Sequence, residues 1–175
     1  MSDAILRAKL DALRDGFDLS FSEPLPVRAD APEDLLAIEI AGHAYALRAR
    51  ELHGLYVDRA IMPVPDAPQD LLGVAAVRGE LVAVYDLAAL LGYPRGTSPR
   101  FLALGNAALA FAFGTLHGHV RPNKTEIHPT DGAREPWFAE VLREPNQTRP
   151  ILELSAISSS IELRLRSTVP KENLE

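Results

Sequence analysis

The segment from residue 71 to residue 87 constrains the fold of this chain more than any other. It reads LLGVAAVRGELVAVYDL, so two apolar runs meet at an Arg-Gly-Glu corner and the second run ends on an Asp-Leu pair. Apolar runs of this length between turn residues are typical of strands buried on both faces. Gly79 can adopt the positive φ that a tight reversal requires. The sequence therefore predicts a buried β-hairpin with a charged residue, Arg78, at its corner.

Composition excludes several classes of protein. Of the 175 residues, 47% are hydrophobic, which suits the core of one domain or of two closely joined halves. The formal net charge is −6 with acids and bases interspersed, whereas a nucleic-acid binder would carry a clustered basic face. The absence of cysteine excludes disulfides, thiolate metal sites and cysteine nucleophiles, and it is compatible with a reducing cytosol. Without a long apolar run or a secretory signal pattern, we expect no membrane insertion.

The first 34 residues are predicted to precede the main domain. Apolar residues at helical spacing predict a helix over 1–17, and these are Leu6, Leu10, Leu13 and Phe17. This helix would pack on the domain's own surface or extend as an arm that docks on a partner. Residues 18–34 are predicted to be a linker, because the prolines at positions 24, 26 and 32 exclude helix and central strand.

The main domain is predicted over 35–166, with a tail at 167–175. In its first half, short strands precede the central hairpin, and a turn or two of helix follows it at 87–91. The predicted strands lie at 36–40, 45–47 and 50–58. Asp86 is expected to cap the short helix, because its carboxylate can accept otherwise unpaired backbone N–H groups.

The second half also has a β pattern. Large side chains alternate with alanines over 109–113, which predicts a strand packed on both faces, and the histidines of 116–120 fall on an outward face. The remaining predicted elements are strands at 101–104, 137–142 and 149–154, a polar loop at 123–136 and a short helix at 156–161. Two sets of strands predict an all-β fold of two small barrels, over about 35–92 and 100–155.

Catalytic and metal-binding patterns are weak in this sequence. No Gly-x-Ser-x-Gly elbow or phosphate-binding glycine loop occurs, and nothing near Asp86 completes an acid–base site. His117 and His119 could bind a metal together with Glu126 or His128, or they could be two solvated histidines. We expect no enzyme activity, no cofactor and no metal. A small β-barrel enzyme or ligand-binding protein is the remote alternative.

A set of short motifs follows a fixed order between residues 36 and 92. The set comprises Tyr45-Ala46-Leu47, Met62-Pro63-Val64-Pro65, Ala67-Pro68, Leu72-Gly73, Arg78-Gly79, Asp86-Leu87 and Leu91-Gly92. In this order and spacing it resembles the CheW family of chemotaxis coupling proteins. The resemblance implies two interlocked five-stranded SH3-like barrels around a shared core, with short helices and no catalysis. It also implies a cytoplasmic adaptor that joins a CheA-type histidine kinase to the cytoplasmic tips of methyl-accepting chemoreceptors.

The chain departs from the family pattern at several positions. Many members carry an acid, thought to pair with the corner arginine, where this chain has Gly54. Arg78 would therefore pair with Glu51 or Asp58, or stay in solvent. The second half matches poorly, since it has Val120-Arg121 where members usually have Val-Asp. These departures leave open a divergent member that binds only the kinase regulatory domain or only the receptor.

The resemblance also implies that a receptor helix hairpin docks in a groove between the two barrels. We predict that apolar residues of the first barrel line this groove and that the hairpin corner forms its rim. The predicted lining residues are Leu55, Val57, Val74 and Val77, and the rim residues are Arg78 and Gly79. An apolar groove would supply buried area, and a charge at the rim would tune register and rate of association.

Overall fold

The computed structural model describes residues 32–96, 99–105, 108–130 and 137–168. The helix predicted at 1–17, all but the end of the linker and most of the predicted tail lie outside the described residues. Within the described part of the chain, no helix is long and apolar enough to cross a bilayer.

The described residues form eleven strands and two α-helices. The strands are β1 (Leu35–Ile40), β2 (His43–Arg48), β3 (Gly54–Val57), β4 (Leu71–Val77), β5 (Glu80–Asp86), β6 (Phe101–Leu104), β7 (Leu109–Phe113), β8 (Thr115–Val120), β9 (Ile127–Pro129), β10 (Glu140–Arg143) and β11 (Thr148–Leu152). The helices are α1 (Leu87–Leu90) and α2 (Leu154–Thr168), with single 3-10 turns at Ala49–Glu51 and Lys124–Glu126.

These strands build two sheets that each draw on both halves of the chain. The six-stranded sheet has the order β8-β1-β2-β11-β10-β9, and the five-stranded sheet has the order β3-β6-β7-β5-β4. Two parallel pairings join the halves, β2 with β11 and β5 with β7. The predicted all-β fold is confirmed. Each sheet takes strands from both halves of the chain, because β1 and β2 pair with late strands while β6 and β7 pair with early ones.

The buried hydrophobic side chains form three clusters. The largest takes residues from both sheets and both helices, including Ile38, Leu152, Phe111 and Ile157. A second cluster belongs to the five-stranded sheet alone and a third to the six-stranded sheet alone. This arrangement is consistent with two small SH3-like barrels, each with its own interior, around one shared core.

Strand β7 shows how the sequence pattern produces the two interiors. All five of its residues are buried. Its large side chains at 109, 111 and 113 enter the shared core, while Ala110 and Ala112 pack in the interior of the five-stranded sheet. The alternation of large and small residues along a strand of period two predicted this division correctly.

The central hairpin forms as the sequence predicts, except that its outer end is exposed. Val77 pairs with Glu80, and the two residues between them have positive φ, +52° at Arg78 and +84° at Gly79. Positive φ at both central residues defines a type I′ turn, whose twist matches that of the flanking strands. The expectation of burial on both faces fails near the corner, where Leu81 is 68% exposed.

Three other elements differ from their sequence predictions. The strand expected over 50–58 begins with the 3-10 turn, and only Gly54–Val57 is extended. The polar loop expected over 123–136 contains β9, a short strand without a periodic apolar signal. Helix α2 is much longer than the predicted 156–161. The N–H of Leu154, at its start, donates to Glu51 Oε2 at 2.7 Å. That cap comes from a residue distant in sequence, so local patterns could not reveal it.

Candidate functional site

Arg78 occupies the exposed corner of the β4–β5 hairpin, and neither acid proposed for it from the sequence is its partner. Glu51 accepts from the Leu154 N–H, as described above, and Asp58 forms an ion pair of 3.7 Å with Arg100. Instead, the Arg78 guanidinium carbon lies 6.0 Å from the centroid of the Tyr56 ring. A cation at this distance is attracted by the ring's electron-rich face. Arg78 therefore sits in solvent against an aromatic ring.

Tyr56 is central to this corner, and sequence reasoning missed it. Its ring lies back along β3 over Gly54, so a Cβ built on Gly54 would come within 2.8 Å of Tyr56 Cε2. The ring also attracts a second cation, because the Arg59 guanidinium carbon lies 5.5 Å from its centroid. Residues two apart on a strand share a face. The pair of Gly54 and Tyr56 was the signal available in the sequence, since the ring fills the space that a side chain at position 54 would take.

The predicted groove residues are not all brought together. A cleft of about 300 Å³ beside the hairpin corner includes Val77 and Arg78 among its lining residues, along with Val82 and Leu104. Val77 itself is 2% exposed and packs in the interior of the five-stranded sheet. The other three predicted residues lie on its two edge strands and do not line this cleft. Leu55 and Val57 lie on β3 and Val74 on β4.

Val74 is held by the chain that precedes it. Its N–H donates to Met62 O at 2.8 Å and its carbonyl accepts from the Met62 N–H at 2.7 Å. This bridge covers part of the outer edge of β4, which would otherwise present unpaired backbone groups. Strand β4, which leads to Arg78, is thereby hydrogen-bonded on both edges, to β5 on one side and to the connector at Met62 on the other.

Asp86 joins three segments at the end of β5. Its Oδ1 accepts from the Ala88 N–H at 2.9 Å at the start of α1, and its Oδ2 accepts from the Gly96 N–H at 2.8 Å. The side chain is only 4% exposed. Both carboxylate oxygens therefore serve backbone groups, which suits a helix cap rather than an acid–base role.

The two histidines of β8 lie on its exposed face, as the alternation predicts. His117 contacts Glu39 at 3.3 Å, and His119 contacts Asp34 at 2.8 Å. His128 lies on β9, at the opposite end of the six-stranded sheet from β8. Among the described residues, no group of three or more His, Cys, Asp or Glu side chains is arranged to hold a metal ion.

A larger cavity of about 750 Å³ lies between α1 and α2. Its acidic group, Asp70, forms an ion pair of 2.6 Å with Arg164. Tyr93, also in its lining, shares a hydrogen bond of 2.8 Å with the hydroxyl of Tyr45. The pKa of Tyr45 is raised, mainly by burial and also by this hydrogen bond. No described histidine lines the cavity, so it holds no nucleophile with an imidazole base beside it.

Comparison with known proteins identifies the family. The CheW-like domain family matches residues 34–162, which is most of the chain. The chain belongs to the CheW-like domain family. The match extends through the second half, where the motifs alone agree poorly with the family pattern. CheW-like proteins are non-catalytic scaffolds of chemotaxis signalling, and this fold is in general that of a coupling protein.

A solved structure supports the fold assignment. The crystal structure of the scaffolding protein TtCheW from Thermoanaerobacter tengcongensis aligns with a TM-score of 0.62 and 21% sequence identity. The alignment covers 70% of this chain and 89% of that one. At this level of identity the likeness establishes the fold. No curated protein matches the chain.

Proposed function

We propose that this protein is a cytoplasmic adaptor that couples methyl-accepting chemoreceptors to a CheA-type histidine kinase. The observation that carries the proposal is the CheW-like domain over residues 34–162. The adaptor acts by holding receptor and kinase at fixed positions relative to each other.

The β4–β5 hairpin and β3 form the proposed receptor-binding surface. The hairpin is well ordered, because its turn type, the pairing of β4 with β5 and the Met62–Val74 bridge all fix its position. A surface ordered before binding loses little conformational entropy when the partner docks. The exposed Arg78 at the corner supplies charge, and Val57 and Leu81 supply exposed apolar area.

Separate titrations test the adaptor role. A receptor cytoplasmic fragment and a kinase regulatory domain would each be titrated into the protein by calorimetry, and the ternary complex would be sought by size-exclusion chromatography. We expect both to bind and to be retained together. Binding of neither would refute the proposal. Binding of only one would instead support the second candidate, a divergent member with a single partner, which the departures at Gly54 and Val120-Arg121 favour.

Charge reversal at the corner tests the surface itself. Arg78→Glu is expected to weaken receptor binding about tenfold or more, because it replaces a favourable rim charge with a repulsive one. The measurement is the Kd for the receptor fragment. Arg100→Glu is the control, since Arg100 is also exposed but already has Asp58 as a partner. Unchanged affinity of Arg78→Glu would remove Arg78 from the receptor-binding surface.

A further inference from the structure

Two exposed arginines at the hairpin corner have no carboxylate partner among the described residues. The guanidinium carbons of Arg59 and Arg78 both lie within 6.0 Å of the Tyr56 ring centroid, and neither side chain takes part in an ion pair there. Two other exposed arginines have carboxylate partners, Arg100 with Asp58 and Arg121 with Asp34. Arg59 and Arg78 therefore place two cations without a carboxylate partner beside one ring, on a chain whose net charge is −6.

Tyr56 fixes the place of this charge. Attraction to this one ring holds both guanidiniums near Tyr56, although like charges repel each other. A cation over a ring face uses no N–H donor, so the donors of both guanidinium groups stay available to a partner. Gly54 makes the arrangement possible, because a Cβ there would come within 2.8 Å of the Tyr56 ring. Where many members of the family carry an acid, this chain has space for the ring, and Arg78 has no carboxylate partner among the described residues.

The cleft beside Arg78 has apolar and polar residues in its lining. It measures about 300 Å³; Val77, Val82 and Leu104 are among its apolar lining residues, and His53 and Glu80 are polar ones. An occupant would place an apolar side chain in the cleft and a carboxylate on the guanidiniums. Residues three or four apart on a helix present two such groups on one face.

We propose that Arg59, Tyr56 and Arg78 form a carboxylate-binding site for an acidic residue of the receptor helix that docks here. The site binds the carboxylate through the N–H donors of both arginines, and Tyr56 is its positioning residue. This inference rests on the proposed function, and it adds the chemistry that the receptor must present. Because charge-assisted pairs between guanidinium and carboxylate weaken as salt rises, the binding should depend on ionic strength.

The test measures binding of a receptor cytoplasmic hairpin fragment from the same genome at low and at high salt. Arg59→Gln and Arg78→Gln are each expected to weaken binding about fivefold at low salt, and the double variant tenfold or more, with a flatter salt dependence. Arg100→Gln removes the same charge from an arginine that is 64% exposed, lies over the Phe101 ring and has its own carboxylate. It should stay within twofold of wild type.

A second pair of variants isolates the positioning role of Tyr56. Tyr56→Phe keeps the ring, so affinity and salt dependence should stay within twofold of wild type. Tyr56→Leu removes the ring and should weaken binding about threefold with a flatter salt dependence, because both arginines lose their common anchor. Equal affinity of the Leu and Phe variants would refute this role.

The outcomes separate the inference from the function on which it rests. If wild type binds the fragment and the double arginine variant binds equally well at low salt, the carboxylate site is wrong and the adaptor function stands. If wild type binds neither receptor fragment nor kinase domain, both proposals fall. Melting temperatures of all variants close to that of wild type would show that the differences arise at the surface.

Discussion

Gly73 and Gly79 lie in the same hairpin and both have positive φ, but they differ in what surrounds them. A Cβ on Gly73 would come within 2.1 Å of Met62 O, a backbone atom that cannot move without breaking the bridge to Val74. A Cβ on Gly79 would meet nothing within 4 Å. Gly73 is therefore needed for a close approach of two chain segments, whereas Gly79 is needed only for its backbone conformation.

Alanine substitution at the two glycines should give very different costs. Gly73→Ala is expected to lower the free energy of unfolding by about 3 kcal/mol or more, because a backbone clash adds to the conformational strain. Gly79→Ala should cost only about 1 kcal/mol, the strain of a left-handed residue with a Cβ. Chemical denaturation of both variants measures the difference. Similar costs would contradict the close approach at Gly73.

At this scale, sequence reasoning succeeds where the cause is local. The cap expected from Asp86 uses an N–H two residues along the chain, and the reversal at Gly79 depends on its own φ. The surroundings of Arg78 could not be read in the same way. Its contact with Tyr56 joins the hairpin turn to β3, 22 residues earlier in the chain. A search of the sequence for an acidic partner of Arg78 does not find a tyrosine.

Arg48, at the end of β2, ties together several elements. Its side chain is only 3% exposed and contacts the carboxylates of Glu33, Glu140 and Glu153. These acids come from the segment before β1, from β10 and from the residue after β11. A buried cation of this kind is tolerated because its partners neutralise it, and its loss leaves them facing one another.

Removal of Arg48 should be far more costly than removal of its neighbour. Arg48→Met is expected to lower the free energy of unfolding by about 3 kcal/mol, because three partly buried carboxylates lose their common cation. Arg50→Met is the control, since Arg50 is 70% exposed and contacts only Glu33, at 3.1 Å. It should change stability by about 0.5 kcal/mol or less. Equal losses in denaturant unfolding would show that burial of Arg48 contributes nothing.

Asp34 links the edge strand β8 to the start of β1 in a pH-dependent way. The pKa of Asp34 lies below its ordinary value of 3.8, mainly because Arg121 donates a hydrogen bond to its carboxylate. The charge of Arg121 and the contact with His119 also lower this pKa. A group whose folded pKa is lowered stabilises the fold above its unfolded pKa, and this stabilisation is lost as the pH falls through the folded value.

The pH dependence of an Asp34 variant follows from that sign. The melting temperature of wild type should exceed that of Asp34→Asn at about pH 5, and the margin should shrink as the pH falls below 3.8. In the variant Arg121→Gln, the carboxyl of Asp34 should titrate closer to 3.8 by NMR. A margin that widened on acidification would contradict the structure.

Elements with a strong repeating pattern were predictable and those without one were not. β4, β5 and β7 carry apolar runs or alternation and were placed correctly. β9 has three residues and one proline, so no period can show. The end of α2 exposes Leu163 and Leu165, which breaks the apolar stripe by which a helix is recognised, and its start is capped from Glu51.

For the whole molecule, the exchange of strands between halves means that neither half contains a complete sheet. β1 and β2 need β8 and β11, and β3 and β5 need β6 and β7. The sequence predicted the class of fold and most of the strands, but pairing between distant strands depends on tertiary packing that no local pattern encodes. Only the family resemblance, with its interlocked barrels, pointed to this exchange.

Cutting the chain between the halves should therefore abolish independent folding. Fragments 32–96 and 97–168 are each expected to lack a cooperative thermal transition, because each exposes strand edges and half of the shared core. Circular dichroism melts of each fragment, alone and mixed in equal amounts, provide the measurement. A sigmoidal melt from either fragment by itself would mean that one half is a self-sufficient domain.

The parallel pairing of β2 with β11 also affects how the protein is made. About 100 residues separate the two strands, and at about 5–20 residues per second a ribosome needs on the order of ten seconds to synthesise them. During that interval Ala46 and Leu47 of the nascent chain have no β11 beside them. This edge of β2 therefore remains unpaired until synthesis of the domain is almost complete.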